Sequence, residues 1–164
     1  MAVLPLLNDE EASADALAVF NDIREKRGTD YVNNFWRALA HDTDELKSVW
    51  DRLQTVMAPG ALNPLVKELI YIAVSATNGC AYCVHSHTAS ARAKGMTPDM
   101  HAELLQVIAM ASRTNALAVA LGVPVDDRSR RRSQRRLSSA GIYPAQSRRY
   151  SLRGTKPALP ARAS

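Results

Sequence analysis

Three dipeptides divide the middle of this chain into lengths that helices fill well: Asn63-Pro64, Asn78-Gly79 and Thr97-Pro98. Asparagine and threonine side chains cap the free N–H groups at a helix start, and proline fits the first turn. Asparagine and glycine both tolerate the left-handed conformation that closes a helix. The spacing predicts a helix from 64 to about 77 and a second that begins at Cys80, runs to Lys94 and stops at Gly95. A third starts at Thr97-Pro98 and heads towards Leu121, with a bend near Ser112 to Asn115.

Upstream, apolar residues recur at helical spacing. Leu17, Phe20 and Ile23 stripe a helix expected from about Asp9 to Arg27, with acidic residues at its positive end and Gly28 as a stop. Residues 31 to 41 repeat the spacing through Phe35, Trp36 and Leu39, and Thr43 can cap a helix that turns Leu46, Val49, Trp50 and Leu53 inward. No strand pattern survives. Aromatics are only 5% of the chain while alanine and leucine abound, so the fold expected is all-α, about six helices in one domain over residues 1–125.

The net charge of +5 is unevenly spread. Residues 1–125 carry ten Lys and Arg against fourteen Asp and Glu, whereas residues 126–164 carry eleven against two. The basic character therefore belongs to a Ser-, Pro- and Arg-rich tail, too poor in apolar residues to offset the cost of ordering and expected to be disordered. Nucleic-acid binding through it would be sequence-indifferent phosphate attraction at most, since few aromatics are interleaved. No secretory n-region and no apolar run near the roughly 20 residues of a membrane span occur, so a cytoplasmic location is expected.

Both cysteines of the chain lie in "NGCAYCVHSHTASARAKG", residues 78–95. At a helix start, free N–H groups and the macrodipole stabilise thiolates, and Cys80 and Cys83 both fall in the first turn. His87, four residues after Cys83, lies on nearly the same face, while His85 is turned about 200° away and belongs to a surface. Structural zinc normally takes four ligands and this stretch offers three, so His41 or His101 would have to be recruited. Haem attachment needs His where Val84 stands, a zinc deaminase needs the reverse motif order, and a thioredoxin site needs a βαβ setting. Two cysteines buried as core residues remain an alternative.

Glu68 lies twelve positions before Cys80, beside the apolar run "LIYIAVSAT". A carboxylate there is either an exposed-edge residue or a buried proton carrier. The tight connection makes the two helices antiparallel neighbours, which puts Glu68 and His87 at comparable depth below the junction.

The pattern E-x11-C-x2-C-x3-H of Glu68, Cys80, Cys83 and His87, with "NPLVKELI" before it and "AKGMTPD" after it, resembles the AhpD-like alkylhydroperoxidase branch of the carboxymuconolactone decarboxylase family. "NNFWRALAHDTDELKSVWDRL" is similar to the amino-terminal half of its peroxidase-related members. The resemblance covers residues 15–122 and implies an all-helical fold, homo-oligomers such as trimers or hexamers, and an antioxidant peroxidase. It also implies no cofactor and no metal, with a peroxide as substrate and an external dithiol or lipoyl-type reductant. By position, Cys83 would be the peroxidatic thiol, Cys80 the resolving thiol, and Glu68 with His87 the proton relay. Ala81-Tyr82 fill the gap where some members carry a histidine. The alternatives are a general thiol–disulfide oxidoreductase and a non-enzymatic redox-sensing or zinc-binding oligomer.

Overall fold

The computed structural model describes residues 3–129; of the tail 126–164 read above as disordered, residues 126–129 are among them and those from 130 onward lie outside. Six helices follow in order: α1 (Ala14–Arg27), α2 (Asn34–Leu39), α3 (Thr43–Met57), α4 (Pro64–Thr77), α5 (Ala81–Ala93) and α6 (Pro98–Ala120). Among the described residues there is no strand, and no helix is long and apolar enough to cross a membrane.

The first compact unit extends to Ser112. Its amino-terminal layer is built from α1, α2 and α3, whose inward residues Val19, Phe20, Ile23, Trp36, Leu46 and Trp50 form one apolar cluster. The α1 helix starts later than its acidic prelude predicts. Asn8 instead closes a turn by accepting from the N–H groups of Glu10 and Glu11, and the Ser13 hydroxyl caps the helix by accepting from Ala16 N. Likewise α2 is limited to Asn34–Leu39, and Asp42 rather than Thr43 caps α3, its carboxylate accepting from Glu45 N. Gly28 ends α1 with φ 61°, in the left-handed region expected of it.

The second layer is the antiparallel pair α4 and α5, with a smaller cluster of Ile72, Ala91 and Met96 against which Met100 and Leu104 of α6 pack. Asn63 caps α4 as the sequence predicts, its Oδ1 accepting from Leu65 N, with Pro64 in the first turn. One lysine ties this layer to the first: Lys67 Nζ donates to the carbonyls of Val56 (2.7 Å) and Ala58 (2.6 Å). These groups at the end of α3 would otherwise lack partners.

From Arg113 a second unit begins. There α6 runs on to Ala120 and closes at Gly122, φ 58°, with Val123 N donating to Ala118 O; residues 127–129 are helical.

Candidate active site

The site grows out of the α4–α5 connection. Gly79 takes φ 70°, which lets the chain reverse within two residues, and Cys80 N donates to Ser75 O at 2.9 Å. Cys80 then occupies the N-cap of α5, a place usually held by Ser, Thr, Asp or Asn, and its sulfur accepts the N–H of Cys83 at 3.3 Å. Both cysteines are free thiols.

Position in the first helical turn treats the two thiols alike, whereas the roles that the resemblance implies differ; their surroundings separate them as well. The Cys83 S–H and the Cys83 backbone N–H both donate to Cys80, which pulls the Cys80 thiol below its ordinary range. Burial pushes Cys83 up, and the Cys80 sulfur that holds its proton adds to this, with the Ser75 hydroxyl acting in the opposite direction. Of the two thiols, Cys80 is therefore the one whose surroundings favour the thiolate.

Glu68 is buried, 3% exposed, and one face of α5 supplies both of its partners. His87 Nδ1 lies 2.6 Å from Oε2 and Lys94 Nζ lies 2.8 Å from Oε1. Burial pushes the carboxyl up, yet the hydrogen bonds from His87 and Lys94, with the Lys94 charge, bring it below the usual carboxylate range. A carboxylate only accepts, so Nδ1 carries the proton and a neutral His87 keeps Nε2 as a bare acceptor. Tyr71 stacks on the imidazole, ring centroids 3.6 Å apart at 18°. Burial, with Cys83, Cys80 and Glu68 beside it, pushes the Tyr71 hydroxyl up and keeps it neutral.

A cavity of about 520 Å³ opens between α1–α3 and the α4–α5 pair. Cys83, His87 and Glu68 line its α4–α5 side, and Trp36 and Trp50 line the other. Tyr82 bridges the two walls, its hydroxyl accepting from Phe35 N at 3.2 Å and so serving a free N–H in the first turn of α2.

Of the sequence-predicted residues, the fold brings Glu68 and His87 into direct contact, puts the two cysteines side by side, and leaves His85 exposed. His41, one of the two distant histidines that a zinc site could recruit, instead binds the carbonyl of Pro5 at 2.8 Å. Among the described residues no three His, Cys, Asp or Glu side chains are grouped to hold a metal ion. Sequence reasoning missed Lys94, Tyr71 and Ser75. Helical spacing could have found them: Lys94 is seven residues after His87, and Tyr71 and Ser75 are three and seven after Glu68, all on the facing sides of α4 and α5.

Comparison with known proteins agrees with this geometry. The solved structure of the alkylhydroperoxidase AhpD core from Rhodospirillum rubrum ATCC 11170 superimposes with a TM-score of 0.75 at 55% identity, covering 78% of this chain and 96% of that one. The alkyl hydroperoxide reductase AhpD of Solibacter usitatus (strain Ellin6076) is 39% identical over 75 residues, 46% of this chain. This chain spans only 40% of the length of that relative. The sequence profile of the carboxymuconolactone decarboxylase family matches residues 44–126, half of the chain. With the paired thiols and the Glu68–His87 contact already in place on an AhpD-like helical fold, this chain belongs to the carboxymuconolactone decarboxylase family.

Proposed function

We propose that the chain is a thiol-dependent peroxidase that reduces organic hydroperoxides to alcohols at the expense of a dithiol. One observation carries the reading: Cys83, the thiol that faces the cavity, shares that cavity wall with an imidazole whose tautomer is fixed by a buried carboxylate.

His87 Nε2 takes the proton of Cys83, directly or through one water, as peroxide enters. The Cys83 thiolate attacks the distal oxygen, the O–O bond breaks, and the departing alkoxide takes the proton back from the imidazolium as ROH. Cys83 is left as a sulfenic acid. Cys80, the more acidic thiol of the pair, attacks that sulfur as its thiolate and expels hydroxide, which leaves as water after gaining a proton. An external dithiol, of which a lipoyl group is one example, reduces the Cys80–Cys83 disulfide and restores both thiols. The sum is ROOH plus a dithiol giving ROH, water and a disulfide. A reducing compartment such as the cytoplasm suits a pair that must be returned to thiols.

Exposed apolar residues support a homo-oligomer, a trimer or a hexamer of this chain: Val66, Ile70 and Val74 form a stripe on α4, and Leu105 and Val107 stand out on α6.

The test is peroxide consumption with dihydrolipoamide as donor. Turnover that is lost in Cys83→Ser supports the reading; full turnover in that variant overturns it. The acidic, partly exposed Cys80 favours a second reading, thiol–disulfide exchange led by Cys80, and dithiol oxidation that proceeds on disulfide substrates with no dependence on peroxide would select it.

A further inference from the structure

The cavity contains a cation that the redox chemistry does not use. Arg27, the last residue of α1, lines it on the side of the two tryptophans, with its guanidinium carbon 5.6 Å from the Trp36 ring centroid and 5.2 Å from that of Trp50. Its Nη1 donates to Asn33 Oδ1 at 2.5 Å. Asn33 is the N-cap residue of α2 but its side chain makes no capping bond, so it is free to hold the guanidinium in place.

Among the described residues Arg27 has no carboxylate partner. Glu68, the acidic residue of the cavity lining, already has its oxygens engaged by His87 and Lys94. The lining therefore holds two side-chain cations, Arg27 and Lys94, against one carboxylate. Burial lowers the pKa of Arg27, yet a guanidinium stays charged at any working pH. Stacked and oriented, with no carboxylate among the described residues in ion-pair contact and only the longer-range charge of Tyr82 and Glu68 acting on it, it is an anion receptor in an aromatic-walled cavity.

We propose that this cavity selects hydroperoxides whose apolar or aryl body ends in a single carboxylate, with Arg27 binding the carboxylate while the O–O group meets Cys83. The proposal rests on the peroxidase reading for the second half of that sentence only. A volume of about 520 Å³ is in the range that accepts a small organic molecule. Phe35, Trp36, Trp50, Leu53 and Met57 supply apolar walls for its body. One guanidinium balances one negative charge; a phosphate dianion would carry an unneutralised charge into apolar walls that already contain Glu68.

The bland alternative is that Arg27 only braces the two indoles at the end of α1. A matched pair of substrates separates the two: cumene hydroperoxide and its para-carboxylated derivative share the reacting group and differ in one charge. The expected result is a preference for the acidic substrate in kcat/KM that falls about tenfold in Arg27→Gln and is partly restored in Arg27→Lys. Asn33→Ala, which leaves the charge but frees it, should lower the same preference by a smaller factor. Equal use of both substrates by the wild type, or a preference unchanged in Arg27→Gln, overturns the proposal.

Binding gives a second readout that needs no turnover. The chain has two tryptophans, Trp36 and Trp50, and both line the cavity, so intrinsic fluorescence reports its occupancy. Titration with para-isopropylbenzoate should change the emission saturably, more tightly than para-isopropylbenzamide and only weakly in Arg27→Gln. If that binding holds while neither hydroperoxide is consumed, the receptor stands and the peroxidase reading falls. If both hydroperoxides are consumed while benzoate and benzamide bind alike, the receptor falls and the peroxidase reading stands.

Discussion

Lys94 holds Glu68 from the far end of α5, its ammonium 2.8 Å from Oε1, while the other carboxylate oxygen serves His87. This lysine is the C-cap of the helix, where a cation also answers the macrodipole, and that local role conceals the longer-range one. Its ion pair joins the His87 hydrogen bond in opposing burial, which by itself would favour a protonated Glu68, a weaker partner for an imidazolium.

Lys94→Met should therefore raise the pKa of Glu68. The acid limb of the pH profile for peroxide reduction is expected to move to higher pH, with kcat at neutral pH reduced several-fold and stability by about 1 kcal/mol, since the lysine is partly exposed. Lys94→Arg should restore the limb. A profile unchanged in Lys94→Met would show that the lysine does not tune the carboxylate.

The same carboxylate predicts a pH dependence of folding. Glu68 has a lower pKa folded than unfolded, so its stabilising contribution is fully present above the unfolded value and is lost as pH falls through the folded one. The difference in urea midpoint between wild type and Glu68→Gln should be largest near neutral pH and shrink in acid. A difference that grows in acid contradicts the assignment.

Cys80 and Cys83 should report their unequal surroundings to different reagents. Iodoacetamide at neutral pH is expected to label Cys80 first, because the thiolate reacts, whereas peroxide should oxidise Cys83. In Cys80→Ser, intact mass should show Cys83 gaining one oxygen and then more. Cys83→Ala removes the S–H donor and should raise the pH midpoint of Cys80 alkylation. Oxidation at Cys80 with Cys83 untouched would reverse the two roles.

Tyr71 stacks on the relay histidine and makes the imidazole plane part of the α4 surface. Tyr71→Phe should retain most activity, whereas Tyr71→Ala should lose about 1 kcal/mol of ring contact and roughly tenfold in kcat. Equal loss in both variants would instead assign the effect to the hydroxyl.

Gly79→Ala tests the turn that sets the Cys80 position. A methyl group there meets nothing within 4 Å, so the whole cost is the positive φ, about 1–2 kcal/mol, read as a lower melting temperature. No change in melting temperature would mean that the turn relaxes to another conformation.

Most of the α4–α5 architecture is legible in the sequence because its signals are local. Asn63-Pro64 and Asn78-Gly79 act on their own backbone, and antiparallel packing then brings Glu68 towards His87 by register alone. Signals become misleading where two local solutions compete: the acidic prelude after Asn8 looks like a first helical turn, yet Asn8 closes a separate turn and Ser13 caps the helix. What cannot be read is any contact between elements distant in the chain. Tyr82 to Phe35 and Lys67 to Val56 depend on how the two layers meet, and Arg27 over Trp50 on how α1 and α3 meet within one layer, which no periodicity records.

The sulfur that begins α5 has a structural duty as well as a chemical one. In the reduced protein the Cys80 sulfur accepts the amide N–H of Cys83 at the start of the helix. In the proposed cycle, joining the two sulfurs would make that sulfur a weaker acceptor, and the first turn of the segment bearing His87 is then expected to loosen on oxidation and tighten on reduction. Amide hydrogen exchange at Cys83 should accordingly run faster in the oxidised protein than in the reduced one.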